Sequence, residues 1–138
     1  MQQLDIQRLE KIIEYCDRIA RTVDRYGNSF EVFSEDEDYQ QSVSFSILQI
    51  GELVAGLSAE YKDDTSGLMP WNQIKAMRNI VAHGYGSISL NTVWATVHED
   101  IPELRKFCDG QIEDMKTDLM RETVEKYKNS PEGGEDCV

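Results

Sequence analysis

The sequence predicts an all-α protein, an up-and-down bundle of four to five helices, and three observations support this prediction. Apolar residues recur at steps of three and four along most of the chain, as they do on one face of a helix. No segment shows the strict alternation of apolar and polar residues that is typical of a half-buried strand. The 138 residues include only 3 Pro and 9 Gly, which argues against a turn-rich all-β fold.

The length of the chain suits one domain. Apolar residues at 40% and charged residues at 29% are typical of a globular protein rather than a disordered one. We therefore predict a single helical domain over residues 1–128 and a disordered acidic tail over residues 129–138. No apolar run approaches the roughly 20 residues of a membrane helix, and the N-terminus lacks the order of a secretory signal. We expect a cytoplasmic protein with no membrane partner.

The first two helices are predicted from their apolar stripes and their ends. The first stripe runs over residues 6–23, and Gly27 is the expected stop. Ser34 with Glu37 three residues later predicts a capping box for the second helix, which continues to about Leu57. The acidic run at this start is interpreted as a solvated first turn rather than as a metal site.

The second half of the chain is predicted to hold the remaining helices. Residues 62–70 are expected to form a loop, and a third helix begins at Trp71 and ends at the glycine that follows His83. A fourth helix starts near Leu90. The sequence Asp-Ile-Pro at residues 100–102 predicts a break or kink, after which the last helix runs to about residue 127.

The net charge of −12 argues against a nucleic-acid-binding protein unless positive charge is concentrated locally. The charge is uneven, because residues 65–98 hold no acid while they hold two bases and both histidines. Such a stretch is expected at a site that accepts an anion. It is equally expected at the buried centre of the fold, and the charge pattern alone leaves both interpretations open.

The cysteines and histidines indicate neither a disulfide framework nor a metal site. Cys16, Cys108 and Cys137 show no CxxC spacing, and the chain holds only 2 histidines. Cys16 and Cys108 are interpreted as small core residues and Cys137 as a thiol of the tail. We expect no metal and no cofactor.

The polar side chains that suit chemistry are concentrated in residues 71–85, WNQIKAMRNIVAHGY. Arg78 offers a planar fork of donors for phosphate, and His83 can exchange a proton near neutral pH. They lie about 140° apart around a helix, so they share a site only if the helix ends there or a second copy contributes. Such a pair can cleave RNA, whose 2′-OH supplies the nucleophile. A salt-bridged arginine and a helix-capping histidine fit the spacing as well.

Residues 78–85 read R-x4-H-x-Y and resemble the signature of the HepT-like toxins of the HEPN superfamily. The flanking residues are also similar to this family. A W-x-x-I lead-in begins at Trp71, and Trp94 and the I-P-x-L break at residues 101–104 follow the motif. The resemblance covers about residues 40–112.

The resemblance implies a small helical homodimer that cuts RNA without a metal, at a cleft between two copies of the motif. By matching position, Arg78 and His83 are implied to be the catalytic pair, and Asn79 a supporting polar residue. The implied partner is a minimal nucleotidyltransferase antitoxin, which transfers AMP onto the motif tyrosine, here Tyr85. A bulky anion at that position would repel RNA. The chain is thus expected to be the endoribonuclease toxin of a type II toxin–antitoxin pair.

Further basic residues are candidate RNA contacts in this acidic chain. They are Lys75, close to the motif, and three arginines at helical spacing, Arg18, Arg21 and Arg25. The three arginines form one basic face, but they also fit i to i+4 pairing with acids of the same helix.

Other residues near the motif are interpreted as structural. Trp71 and Trp94 are expected to pack in the core or at a dimer interface rather than to stack on bases, and His98 is expected to be structural. An alternative function is a non-catalytic helical subunit that binds substrate for a nucleotidyltransferase or regulates it. A second alternative is a structural dimer in which the motif serves only as a helix cap.

Overall fold

The structure is a computed structural model that describes residues 2–83 and 89–129, and for residues 2, 80, 82 and 83 it describes the backbone alone. These residues form helices and no strand, so the all-α prediction is confirmed. The helices follow one another as α1 (Gln2–Tyr26), α2 (Phe30–Glu35), α3 (Glu37–Ala55), α4 (Ala59–Asp64), α5 (Trp71–His83), α6 (Leu90–Ala95) and α7 (Ile101–Lys128). None of the helices described here is both long and apolar enough to cross a membrane. The predicted domain bounds and tail stay predictions.

The long helices α1, α3, α5 and α7 run alternately up and down, as predicted. The hydroxyls of Thr22 and Ser42 lie 3.3 Å apart near the end of α1 and the start of α3. The opposite end of α1 is fixed by Asp5, which binds Ser58 just beyond α3. Ion pairs join α7 to α1 in the same antiparallel sense, between Asp17 and Arg105 and between Glu10 and Lys116.

Gly27 ends α1, as predicted, with a φ of 117° that favours glycine. The predicted apolar stripes form the core between the long helices. Its fully buried side chains include Leu9, Ile12, Phe33, Tyr39, Ile50 and Leu104.

Two cysteines lie within this core. Cys16 and Cys108 are buried, and burial raises the pKa of each thiol to about 12. Both therefore stay protonated and unreactive at neutral pH. The prediction that they are core residues is confirmed, while Cys137 lies outside the described residues.

Aromatic residues fix one end of the bundle around Trp94. Its ring lies 5.2 Å from that of Phe33 and 6.2 Å from that of Tyr39. The ring of His98 lies 4.3 Å from that of Trp94, and its nitrogens lie within hydrogen-bonding distance of the Trp94 carbonyl and of Asn28 Oδ1. His98 thus joins the helix that carries it to the turn after α1, in agreement with a structural role.

Trp71 occupies the opposite end of the bundle, at the start of α5. It is 5% exposed and packs against Tyr61 and Phe107. Its indole N–H donates to the Thr65 hydroxyl at 2.8 Å, so its one polar group is satisfied. Both tryptophans are therefore packing residues, as predicted.

The start of the second long helix differs from the prediction. Ser34 is not its N-cap, because this residue lies within α2 and donates its hydroxyl to the Glu31 carbonyl at 2.8 Å. The cap of α3 is Asp36, whose Oδ1 accepts from the backbone N–H groups of Asp38 and Tyr39 at 3.0 and 3.2 Å. A carboxylate satisfies both amides and complements the helix dipole, which explains why α3 begins after Asp36.

The loop predicted over residues 62–70 is wrong in its first part, because α4 extends to Asp64. Ser58 caps α4 by accepting from the Tyr61 N–H at 3.2 Å. The Ser58 hydroxyl and backbone N–H in turn donate to Asp5 at 2.7 and 2.8 Å. Asp5 is 2% exposed, so a buried carboxylate of α1 fixes the start of α4.

Residues 100–102, where a break or kink was predicted, do not interrupt the helix. A π-helical turn over residues 96–100 joins α6 to α7 in one continuous helix. Pro102 follows directly in α7, and because it has no backbone N–H it cannot donate a helical hydrogen bond to the preceding turn. The π turn changes the hydrogen-bonding pattern before Pro102 without ending the helix.

We predict that Asp5→Ala lowers the free energy of unfolding by about 2–3 kcal/mol, because two hydrogen bonds to a buried carboxylate are lost. Urea unfolding followed by circular dichroism measures this change. Asp24→Ala removes an exposed carboxylate from the same helix and should stay within about 0.5 kcal/mol of the wild type. Equal effects of the two substitutions would contradict the structural role of Asp5.

Candidate functional site

Helix α5 carries the polar motif along its surface and packs its apolar side into the bundle. Ile74 and Val81 are buried, whereas Lys75 and Asn79 are exposed. Arg78 lies at the boundary between these two sides, with 37% of its side chain exposed. The residues predicted to contact RNA therefore reach the surface, while the apolar residues between them hold the helix in place.

The backbones of α3 and α5 approach each other closely at Arg78. Gly51 of α3 lies directly beneath this residue. A Cβ added at Gly51 would overlap the Cβ of Arg78 and lie 3.1 Å from its Cγ. Only glycine allows this approach, because any side chain at position 51 would collide with Arg78.

Two polar groups orient the Arg78 guanidinium. Glu52, the residue after Gly51, forms an ion pair with its Nε. The Oδ1 of Asn79 accepts from its Nη1 at 3.3 Å. Because Glu52 is 53% exposed and Arg78 is 37% exposed, the pair contributes no more than about 1 kcal/mol to stability. Its larger effect is to fix the direction of a cation at the surface.

Glu52 changes the interpretation of the acid-free stretch over residues 65–98. Arg78 is distant in sequence from any acid, but helix packing places a carboxylate of α3 directly on it. The site is therefore an arginine–glutamate pair rather than an isolated cation. Within the described residues, no group of three or more His, Cys, Asp or Glu side chains is arranged to hold a metal ion.

The structure brings together part of the predicted motif. Helix α5 extends to His83, as predicted, and the structure describes the backbone of this residue. Tyr85 lies outside the described residues. Position 83 follows Asn79 by about one helical turn, so it shares a face of α5 with Asn79 rather than with Arg78. Arg78 and Asn79 are in contact, while the pairing of Arg78 with His83 stays a prediction.

The other predicted RNA contacts lie apart from one another. Arg18, Arg21 and Arg25 line a groove between α1 and α3, whereas Lys75 borders a different cavity beside Trp71. The predicted i to i+4 pairing holds for Arg18, which lies 3.5 Å from Glu14. It fails for Asp17, which binds Arg105 of α7 instead. Arg21 and Arg25 form no ion pair with any residue in the described ranges.

Sequence reasoning missed Gly51 and Glu52. A glycine inside a helix costs about 1 kcal/mol relative to alanine, so its presence at a buried position of α3 indicates a close approach by another backbone. This signal was available in the sequence. The partner of Glu52 was not, because 26 positions separate it from Arg78 and only the packing of α3 against α5 joins them.

A family model described as "Ribonuclease HepT-like" matches residues 9–110, and this span includes Gly51, Glu52, Arg78 and His83. The chain belongs to this HepT-like family. The family predicted from the motif is therefore confirmed. The HepT-like match ends within α7, and the last turns of that helix lie beyond it.

Curated HepT-like relatives agree with this assignment. The "Putative RNase TTE0752" of Caldanaerobacter subterraneus subsp. tengcongensis is 34% identical over 98 residues, which cover 71% of this chain and 85% of the relative. The "Probable ribonuclease HepT" of Thermococcus cleftensis is 26% identical over 67% of this chain and 87% of its own length. "Putative RNase MJ1380" of Methanocaldococcus jannaschii is 25% identical over 58% of this chain and 81% of its own. No solved structure matches the chain.

We predict that Gly51→Ala lowers the free energy of unfolding by about 1–3 kcal/mol, because the added methyl group forces α5 away from α3. Thermal unfolding by circular dichroism measures the change. Gly110→Ala is the matched control, since a Cβ at that position of α7 meets nothing within 4 Å. It should raise stability by about 0.5–1 kcal/mol. A stabilising Gly51→Ala would show that the helices do not meet as described.

Proposed function

We propose that this chain is a metal-independent endoribonuclease that uses Arg78 and His83 as its catalytic pair, with Asn79 in support. The ribonuclease class rests on the family and on the names of its relatives. The assignment of Arg78 is supported by one observation, the orientation of its guanidinium by Glu52 and Asn79 at the surface of α5. An oriented, exposed guanidinium presents planar donors to a phosphate group.

The proposed reaction uses the nucleophile of the substrate. The 2′-oxygen attacks the adjacent phosphorus, so that a P–O2′ bond forms and the P–O5′ bond breaks. The products are a 2′,3′-cyclic phosphate and a free 5′-hydroxyl. Arg78 stabilises the negative charge that develops on the non-bridging oxygens. His83 transfers a proton, either from the 2′-hydroxyl or to the leaving 5′-oxygen.

This reaction needs a base and an acid at the same time. The motif of one chain supplies a single histidine, His83. A homodimer in which two motifs face each other supplies one histidine for each proton transfer. In such a dimer, Arg78 of one copy and His83 of the other can act on the same phosphate, so the two residues of one helix need not do so. The proposal therefore includes a homodimer with its active site between the two copies.

The proposal extends to regulation through Tyr85. A minimal nucleotidyltransferase antitoxin would transfer AMP from ATP to the phenolic oxygen of this residue and release pyrophosphate. Because Tyr85 lies two residues after His83, the phosphate of the added AMP would occupy the proposed phosphate site of the motif and repel RNA. Support comes from the R-x4-H-x-Y motif and its resemblance to the toxin family. In this interpretation the protein is the toxin of a type II pair and acts in the cytoplasm.

Cleavage of RNA in EDTA tests the proposal, after intact mass has established that Tyr85 carries no AMP. We expect Arg78→Ala and His83→Ala each to lower kcat by about 100-fold or more. Wild-type products should end in 2′,3′-cyclic phosphate. Arg121→Ala, which removes an exposed base from α7, is the control and should retain full activity. An unmodified, dimeric wild type that cleaves none of several RNAs would favour a non-catalytic subunit that binds substrate for a nucleotidyltransferase.

Glu52→Gln distinguishes two possible roles of Glu52, namely orientation of Arg78 and electrostatic repulsion of RNA. Loss of the ion pair frees the guanidinium, and misplacement of a catalytic group lowers kcat, here by about tenfold. Removal of a negative charge beside bound RNA should lower KM at the same time. Steady-state kinetics measure both constants, with Glu113→Gln on α7 as the control. An unchanged kcat with a lower KM would show that Glu52 only repels RNA and does not position Arg78.

A further inference from the structure

The groove between α1 and α3 has the composition of a site for a polyanion. It is an open depression of about 1060 Å³ that lies along the outer surface of the bundle. Its lining includes Arg18, Arg21 and Arg25 from α1 and Asp38, Ser42 and Phe45 from α3. The hydroxyls of Ser42 and Thr22, which lie 3.3 Å apart, add neutral polar groups to the groove.

The arginines give this groove a positive charge on an otherwise acidic protein. The side chains of Arg21 and Arg25 form no ion pair and no hydrogen bond with any residue that the structure describes. Arg18 is held by Glu14 at 3.5 Å, and its guanidinium lies 5.0 Å from the centre of the Tyr15 ring. The carboxylate of Asp38 offsets part of this charge. With a net charge of −12 for the whole chain, the groove is a place where a phosphate backbone meets attraction rather than repulsion.

Phe45 supplies an aromatic surface within the same groove. Its side chain is 51% exposed although it belongs to a large apolar residue. An edge contact with Tyr15, at 6.3 Å between ring centroids and 68° between planes, holds the ring in place. Proteins that bind single-stranded nucleic acids combine a basic groove with exposed aromatic rings, because every unpaired base has a face that can stack.

Phe45 in the groove and Glu52 beside Arg78 lie on the same face of α3. Phe45 and Glu52 are seven residues apart on α3, which is about two helical turns and roughly 10 Å along the axis. Glu52 in turn binds Arg78. A strand that lies in the groove with one base on Phe45 is therefore within a few nucleotides of the candidate catalytic arginine.

We propose that the groove between α1 and α3 binds single-stranded RNA and leads it to Arg78. Arg21 and Arg25 contact phosphates, and Phe45 stacks on an unpaired base. This inference rests on the proposed ribonuclease function and names its substrate class. A duplex keeps its bases stacked inside the helix, so it offers no free base to Phe45 and binds more weakly.

Binding and cleavage are measured separately, so that the two proposals can fail independently. Binding uses the full chain and a 2′-O-methyl single-stranded oligonucleotide, which lacks the nucleophile and cannot be cut. Fluorescence anisotropy over a range of salt concentrations gives the association constant K. Arg21→Ala/Arg25→Ala should reduce the slope of log K against log salt by about 1.4, the value for two lost phosphate contacts with a single strand. Arg121→Ala/Lys126→Ala removes the same charge from α7 and should leave the slope unchanged.

Substitutions at Phe45 test the stacking contact. Phe45→Leu keeps an apolar side chain without an aromatic face and should weaken binding about tenfold. Phe45→Trp should retain the wild-type affinity. In the cleavage assay, Phe45→Leu should raise KM and leave kcat unchanged, because the residue does not touch the reacting atoms.

Three outcomes would overturn this inference. In the first, Arg21→Ala/Arg25→Ala and the control Arg121→Ala/Lys126→Ala bind the oligonucleotide with the same salt slope. In the second, duplex RNA binds as tightly as the single strand. Sedimentation velocity could also show that Arg21→Ala/Arg25→Ala turns a dimer into a monomer, which would make the groove an interface between copies. If the wild type still shows Arg78-dependent cleavage in any of these cases, the proposed function stands and only the groove assignment is lost.

Discussion

The contact between Gly51 and Arg78 is the constraint on which the candidate site depends. It brings the backbones of α3 and α5 together at the point where the motif arginine leaves its helix. This approach brings Glu52 into an ion pair with the guanidinium of Arg78, whose side chain stays 37% exposed. The buried residues on either side, Ile74 and Val81, keep α5 in this register. A single position without a side chain thus connects the packing of the bundle to the orientation of the motif arginine.

Charge in this molecule is organised locally, so the net value of −12 does not describe every part of its surface. Acids cluster at the exposed start of α3 and along α7, while Arg21 and Arg25 lie in the groove between α1 and α3. The field that an approaching polyanion meets is set by the nearest groups, because ions in solution screen distant charges within about 8–10 Å. The same holds at the candidate site, where the carboxylate of Glu52 offsets part of the positive potential of Arg78.

Much of the fold was predictable because its signals are local. The apolar stripe of α1 and its Gly27 stop, the span of α5, and the core positions of Cys16 and Cys108 follow from spacing and residue type. The structure differs from the prediction where two local signals compete, or where a residue distant in sequence determines the local conformation. Ser34 and Asp36 are both good N-cap residues and lie two positions apart, so the local sequence does not decide between them. The structure has Asp36 as the N-cap of α3.

The candidate site shows the same division between local and distant signals. Arg78 and Asn79 were found from the motif, since they are adjacent on one helix. Glu52 was not, because its contact exists only after α3 has packed on α5. The contact of Asp5 was missed and the partner of Asp17 was predicted wrongly for the same reason, since each binds a residue of another part of the chain. Pairs within one helix, such as Glu14 with Arg18, were predictable; pairs between helices were not.

The placement of the two tryptophans has an optical consequence. Trp71 is sealed between Tyr61 and Phe107 at the end of the bundle that holds the start of α1. Trp94 lies at the other end, beside Phe33 and against the ring of His98. Their fluorescence therefore reports on two ends of the same set of helices, in two different electronic surroundings. Each end of the molecule carries its own emitting group, which makes the cooperativity of the whole bundle visible without any added label.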